Sequence, residues 1–263
     1  MQEPLTCRYE RIGNVSVREI CRMYEIFSRY YVNAPLETFL ADLNRKSGVF
    51  LVRRKRDNEV VGFSTVHRFG MKVAGRQCIG VFSGDTLIER AYWGSRALQL
   101  AFARYVFRIR MQNPLTPVFW CLISKGYKTY LLLANNYPRY FPHPEGQHEQ
   151  LAEVVREYCG QLFPGRLDPS RMVLDFGADA QRLNENTAPI TDSARQKYPK
   201  IAFFEQRNPD WQRGTELPCV GMLGWSDFWQ FARQTLVRKM LRRRRDLHPE
   251  LAASGDDREL NPG

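Results

Sequence analysis

Apolar residues recur along this chain in two rhythms, one alternating and one of helical spacing, and their order predicts an α+β architecture. Thr6 to Ile12 reads as a short strand. Ser16 reads as an N-cap, with Glu19 three residues on as its capping-box partner. The helix it opens runs to about Val32, with Ile20, Met23, Tyr24, Phe27 and Tyr31 on one face. Pro35 opens a second helix carrying Leu36, Phe39, Leu40 and Leu43. Val49–Val52 is a strand, 53–58 a charged hairpin turn, 60–69 the next strand and 70–76 a second turn. A third antiparallel strand runs from Cys78 to Ile88.

The residues after Ile88 form a corner. Tyr92-Trp93-Gly94-Ser95-Arg96 is a sharp turn, and Ala97 to about Met111 is a helix with Leu98, Phe102, Tyr105 and Ile109 at helical spacing. Such a corner gathers free backbone N–H groups and the positive end of a helix dipole, which suits a phosphate or pyrophosphate. Most strand-turn-helix corners bind nothing, so this one gains meaning only from its surroundings.

Pro117–Ser124 is an almost unbroken apolar run, as in a strand buried on both faces. Because it follows a helix, it is expected to lie parallel to the strand before that helix. Gly126 opens another helix, Tyr127–Asn136, and Pro138, Pro142 and Pro144 then break the chain. Further on, 148–162 reads as a helix, 171–176 as a strand, and 180–198 as polar loop or short helix. Lys200–Glu205 and Cys219–Leu223 read as strands around a loop holding Asn208-Pro-Asp-Trp211. Ser226 is the expected N-cap of a last helix, about 227–245, and residues from about Pro249 are expected to fray.

Composition narrows the function classes. The 263 residues are 43% hydrophobic and 13% aromatic, enough for a substantial core. The six cysteines are scattered and none forms a C-x-x-C pair, which argues against a zinc ribbon and a disulfide framework. The first residues have neither the basic nor the apolar region of a signal peptide, and no apolar run reaches membrane-span length, so a reducing cytoplasm is the expected place. The net charge of +11 favours polyanionic partners, and Arg238, Lys239 and Arg242 to Arg245 crowd into eight positions.

The order strand, two helices, three strands, helix, strand, helix, strand resembles the GCN5-related N-acetyltransferase (GNAT) superfamily over roughly residues 6 to 140. In that family the corner carries an Arg/Gln-x-x-Gly-x-Gly/Ala loop that cradles the pyrophosphate of acyl-coenzyme A. A common form reads Val-x-Pro-x-Tyr-Arg-Gly-x-Gly, and here the register reads Ile88-Glu-Arg-Ala-Tyr-Trp-Gly-Ser-Arg96. Ile88, Tyr92 and Gly94 match. Arg90 replaces the usual proline, Trp93 the usual arginine and Arg96 the second glycine, unless Ala97 fills that last place after one extra residue.

The resemblance implies a mixed central sheet with helices on both faces and an enlarged C-terminal part. It implies a core over 1–145 and an extension over 146–248 that completes the sheet and the acceptor or acyl pocket and ends in a basic helix; the polar residues over 249–263 read as a disordered tail. It implies a donor site of Leu87, Ile88, Trp93, Gly94, Ser95, Arg96 and Ala97, with an N–H of Leu87 or Ile88 holding the acyl carbonyl in a gap between splayed strands. An amine then attacks the thioester while a general base takes its proton. Asp85 is the first base candidate and His67 the second, against the bland readings of a bulge acid beside Gly84 and a hydrogen-bonded strand histidine. Tyr127 or Tyr130 would protonate the leaving thiolate, although tyrosines there are also ordinary core material. His143, His148, Glu145 and Glu149 flank the proline-rich loop, but nothing in their spacing fixes a metal site, and no metal is expected.

The co-substrate implied is acyl-CoA, or the phosphopantetheine thioester of an acyl carrier protein. The acceptor implied is an amine-bearing small molecule or peptide, as in specialised-metabolite formation or peptide lipidation. Phe203, Phe204, Trp211, Trp225, Phe228 and Trp229 are either an enlarged core or the wall of an apolar tunnel for a medium or long acyl chain. The basic helix over 227–245 suits an acidic carrier protein or an anionic membrane surface, with peripheral binding at most, and equally a packed helix with a solvated end. Oligomers are compatible with all of this. Two further readings compete: a non-catalytic basic protein binding nucleic acid or anionic lipid, and an acyltransferase fold kept only for interaction. Nucleic acid is not expected as a partner, since the basic residues do not interleave with aromatics as in a single-strand groove.

Overall fold

A computed structural model describes residues 3–177, 180–183 and 190–224. The expected helix over 227–245, its arginines, Trp225, Phe228 and Trp229, and the tail over 249–263 lie outside the described residues.

Strand β1 (Leu5–Arg11) leads into α1 (Val17–Tyr30). Ser16 caps this helix as its sequence dictates: its hydroxyl accepts from the Glu19 N–H, and the Glu19 carboxylate accepts from the Ser16 N–H at 3.0 Å. Met23, Ile26, Phe27 and Tyr30, spaced three and four apart, are the buried face. The two-residue β2 (Tyr31–Val32) and α2 (Leu36–Asn44) follow, then β3 (Gly48–Arg54), β4 (Val60–Val73) and β5 (Arg76–Ile88). Helix α3 (Ala97–Gln112), β6 (Val118–Ser124), α4 (Tyr127–Ala134) and β7 (Tyr140–Phe141) complete the first half. Beyond it lie α5 (Ala152–Leu162), the short strands β8 (Leu167–Asp168), β9 (Val173–Leu174) and β10 (Arg182–Leu183), α6 (Asp192–Lys197), α7 (Pro199–Arg207) and β11 (Leu217–Met222).

The main sheet has the order β1-β3-β4-β5-β6-β11-β7. Neighbours are antiparallel except β5 and β6, which are parallel and joined through α3. This is the mixed α+β sheet that the element order predicts, with the parallel pair at the place the apolar run of β6 indicated. Alternation along the strands assigns the faces. Phe50, Val52, Val81 and Val118 pack under α3, and Trp120 and Leu122 under α4. Val49, Leu51 and Phe63 pack under α1 and α2, and Phe82, Phe119 and Cys121 under α5. So α1, α2 and α5 share one face, and α3 and α4 the other.

Four local expectations are corrected. Residues 200–205 are not a strand but the middle of α7: Pro199 occupies the first helical turn, and Ile201 and Phe204, three apart, are its buried residues. The 70–76 turn shrinks to Ala74 and Gly75, both at positive φ, because Met71 and Cys78 continue the alternation of β4 and β5 into the core. Arg53 belongs to β3 rather than to the hairpin turn; it is buried and bonds both Glu10 and Glu19 at 2.6 Å. Of 171–176 only Val173–Leu174 is strand. Among the described residues no helix is long and apolar enough to cross a membrane.

Candidate functional site

The site grows from one irregularity in β5. Ser64 pairs with Thr86, but Val66 pairs with Ser83, so Gly84 and Asp85 together oppose Thr65 in a β-bulge. Glycine is needed here, because a Cβ at position 84 would run into the Thr65 hydroxyl. The Thr86 hydroxyl secures the bulge, donating to Gly84 O at 3.2 Å and lying 2.7 Å from the Ser64 hydroxyl. At the same place β6 leaves β5. Their parallel pairing runs from Ile79–Val118 to Ser83–Leu122 and stops, with the Trp120 indole donating to the Ser83 hydroxyl at 2.8 Å at the last rung. Beyond it the strands splay. The Glu89 N–H donates to Val61 O at 3.0 Å, so alternation aims the Leu87 N–H at β4 as well. The N–H groups of Thr86 and Ile88 therefore face the side that β6 has vacated.

Over the bulge, between α2 and α5, lies a cavity of about 840 Å³. Its floor projects from one face of the sheet: His67 of β4, Asp85 and Phe82 of β5, Lys125 just past β6 and Glu216 just before β11. Lys46 enters from the end of α2, ion-paired to Asp42 at 2.7 Å and over the Phe82 ring at 5.4 Å. Lys125 pairs with the buried Glu216 at 3.2 Å and sits over the Tyr31 ring at 4.8 Å. Desolvation opposes the Lys125 charge, but Glu216, Tyr31 and Asp85 outweigh it and hold its pKa above the ordinary lysine value. Desolvation also raises the Glu216 and Asp85 carboxyls, against the pull of Lys125 on both. Asp85 has no hydrogen bond or ion pair among the described residues. Desolvation, then the nearby Lys46 charge, lowers the His67 pKa, favouring the neutral ring. His67 Nδ1 lies 3.2 Å from the Ser47 hydroxyl and its ring stacks on Phe69.

At the far end of β5 the chain turns into α3. Gly94 has φ +85°, a left-handed conformation that favours glycine at this position of the motif. The Ala97 N–H donates to the Ser95 hydroxyl at 3.3 Å, and Arg96 is the exposed N-cap residue. Trp93 is 41% exposed. Its indole donates to Ile88 O at 2.7 Å, and Lys128 of α4 lies 4.5 Å from its ring centre. The first turn of α4, which includes the half-buried Tyr127, thus adjoins the corner.

The structure brings Asp85 and His67 to one cavity and gathers Ile88, Trp93, Gly94, Ser95, Arg96 and Ala97 at the corner. Tyr130 goes elsewhere. It is fully buried in the core under α4, its hydroxyl donates to Pro142 O at 3.1 Å, and burial pushes its pKa far up. Phe203, Phe204 and Trp211 pack in that same core and do not line the cavity. His143 stacks on Tyr140 and its Nδ1 accepts from the Glu145 N–H at 3.2 Å. Among the described residues no three His, Cys, Asp or Glu side chains gather as a metal site. Sequence reasoning missed Lys125, Glu216, Asp42 and Lys46. Lys125 had a signal: it continues the alternate register of Cys121 and Ile123 and is the first charge after an apolar strand. Glu216 had none, since its partner is 91 positions away.

No family model matches the chain, and no curated protein matches it. Solved structures resemble it in part. A conserved protein of unknown function from Enterococcus faecalis, described as a probable N-acyltransferase, aligns with a TM-score of 0.39 and 12% identity over 50% of this chain and 32% of its own. A GCN5-related N-acetyltransferase from Kribbella flavida aligns at 0.36 and 13%, over 53% and 34%. A GNAT family N-acetyltransferase from Escherichia coli in complex with CoA aligns at 0.36 and 11%, over 55% and 78%. The chain thus matches about a third of the length of the first two.

Proposed function

We propose that this protein is a divergent GNAT-type N-acyltransferase that moves an acyl group from coenzyme A to an amine. The observation that carries the reading is the opening of the sheet beyond Ser83, beside the Asp85 bulge and over a charged cavity. The thioester would thread the gap between β5 and β6, its carbonyl held by the outward N–H of Ile88 rather than that of Leu87, which is aimed at β4. The pyrophosphate would meet the N-terminus of α3 at Gly94 to Ala97. The acceptor would enter the cavity on the opposite side of the gap. Asp85, raised and unpaired, is the first base for the amine proton, and neutral His67 the second. Attack of the amine nitrogen on the thioester carbon breaks the carbon–sulfur bond, and Tyr127 would give the departing thiolate its proton.

The cavity is charged and the described large aromatics fill a core elsewhere, which favours a short acyl group over the long-chain donor that the aromatic content suggested. The test is to incubate the protein with CoA thioesters of graded chain length and an amine panel, following thiol release and the mass of the acceptor. Release falling with chain length is the expected result. Failure to bind any thioester would overturn the reading.

A further inference from the structure

The acceptor cavity is graded from floor to rim. The Glu216 carboxylate on its floor is spent on Lys125 at 3.2 Å, and Asp42 of α2 on Lys46 at 2.7 Å. Asp85 is left as an unpaired carboxyl open to the cavity. An aromatic wall rises from the floor: Phe82 and Phe163 meet edge to face with centroids 5.6 Å apart, and Phe163 and Phe176 repeat the contact at 5.8 Å. At the rim the charge reverses. Arg166, just beyond α5, is exposed and extends over the Phe176 ring at 6.0 Å. Arg45, at the end of α2, is exposed and has no ion pair among the described residues.

We infer that the acceptor is amphoteric, with a primary amine at one end, an apolar or aromatic body, and an anionic group at the other, as in a short peptide ending in acidic groups. The choice of face rests on the acyltransferase reading above. Size supports a body between the two charges: ligand cavities of roughly 300–1,000 Å³ enclose drug-sized molecules, so a lone small amine would leave this one mostly to water. Charge supports both ends. An ammonium meets Asp85 on the floor, and an anion meets Arg45 at the rim. A polycation is repelled at the rim, so the arrangement selects by repulsion as well as attraction.

The test is titration calorimetry on the intact chain, separate from turnover. The probes are phenylalanyl-glutamate, its N-acetylated form, phenethylamine and acetyl-CoA. Phenylalanyl-glutamate is expected to bind about tenfold or more tighter than the N-acetyl form and than phenethylamine, one well-placed charge pair being worth roughly that factor. Asp85→Asn should erase the preference for the free amine. Arg45→Ala, which lies outside the reacting groups, should reduce the dipeptide to the level of phenethylamine, with thermal unfolding run to check that both variants fold. Equal binding of dipeptide and phenethylamine overturns the rim assignment. Binding of acetyl-CoA with none of the amines overturns the acceptor class and leaves the transferase reading standing. Binding of the dipeptide with no thioester does the reverse.

Discussion

The two faces of the sheet are built from the same strands and solve burial in opposite ways. Under α4 the even-numbered residues of β6, Trp120 and Leu122, close on Tyr130, Leu133 and Phe204, and the Tyr130 hydroxyl finds a carbonyl. Across the sheet the odd-numbered register runs Cys121, Ile123, Lys125 and ends in a charge over a cavity. On the first face the tyrosine hydroxyls are enclosed in a packed core. On the second, the half-buried Asp85 faces the cavity with no side-chain hydrogen bond or ion pair among the described residues, and desolvation raises its pKa. The contrast separates core tyrosines and aromatics from groups available for chemistry.

Changes on each face should therefore fail differently. The largest effect is expected from Asp85→Asn, which should cut amine acylation by about 10²–10⁴, the usual worth of a general base. It should not lower the melting temperature. Because the folded-state pKa of Asp85 is raised, its carboxyl weakens the fold as pH rises through the ordinary carboxylate range, so the variant should gain relative stability over that window. A melting temperature that drops with no loss of turnover would move Asp85 to the structural side of the comparison.

Next comes Lys125→Met, which strands Glu216 in a buried site and should cost about 3–5 kcal/mol by urea unfolding. An unchanged midpoint would mean that the pair is better solvated than its burial indicates. Tyr130→Phe removes one buried hydrogen bond and should cost about 1 kcal/mol with turnover intact, whereas Tyr127→Phe should slow turnover and leave stability nearly unchanged. The reverse pattern would exchange their roles. The smallest effect is on pH dependence. The folded-state pKa of His67 is lowered, so the unfolded chain binds more protons just below the ordinary histidine value, and stability should fall as pH drops through that window. His67→Gln should flatten that slope.

Local patterning carried much of the architecture. The capping box of α1, the alternation of β3 to β5, the unbroken apolar run of β6 and the glycine of the corner each state a backbone preference within a few residues, so their places and the parallel β5–β6 pair were legible in the sequence. Lys200–Glu205 misled because its apolar and aromatic residues suit a strand as well as a helix until Pro199 sets the first turn. The Gly84-Asp85 bulge was foreseen only as one reading of Asp85. What tertiary structure alone decided was company. Lys125 meets Glu216 because β11 inserts beside β6, and His67 reaches the cavity of Asp85 because β4 and β5 pair across the bulge. Sheet register brings together residues far apart in sequence, and no spacing along the chain records it.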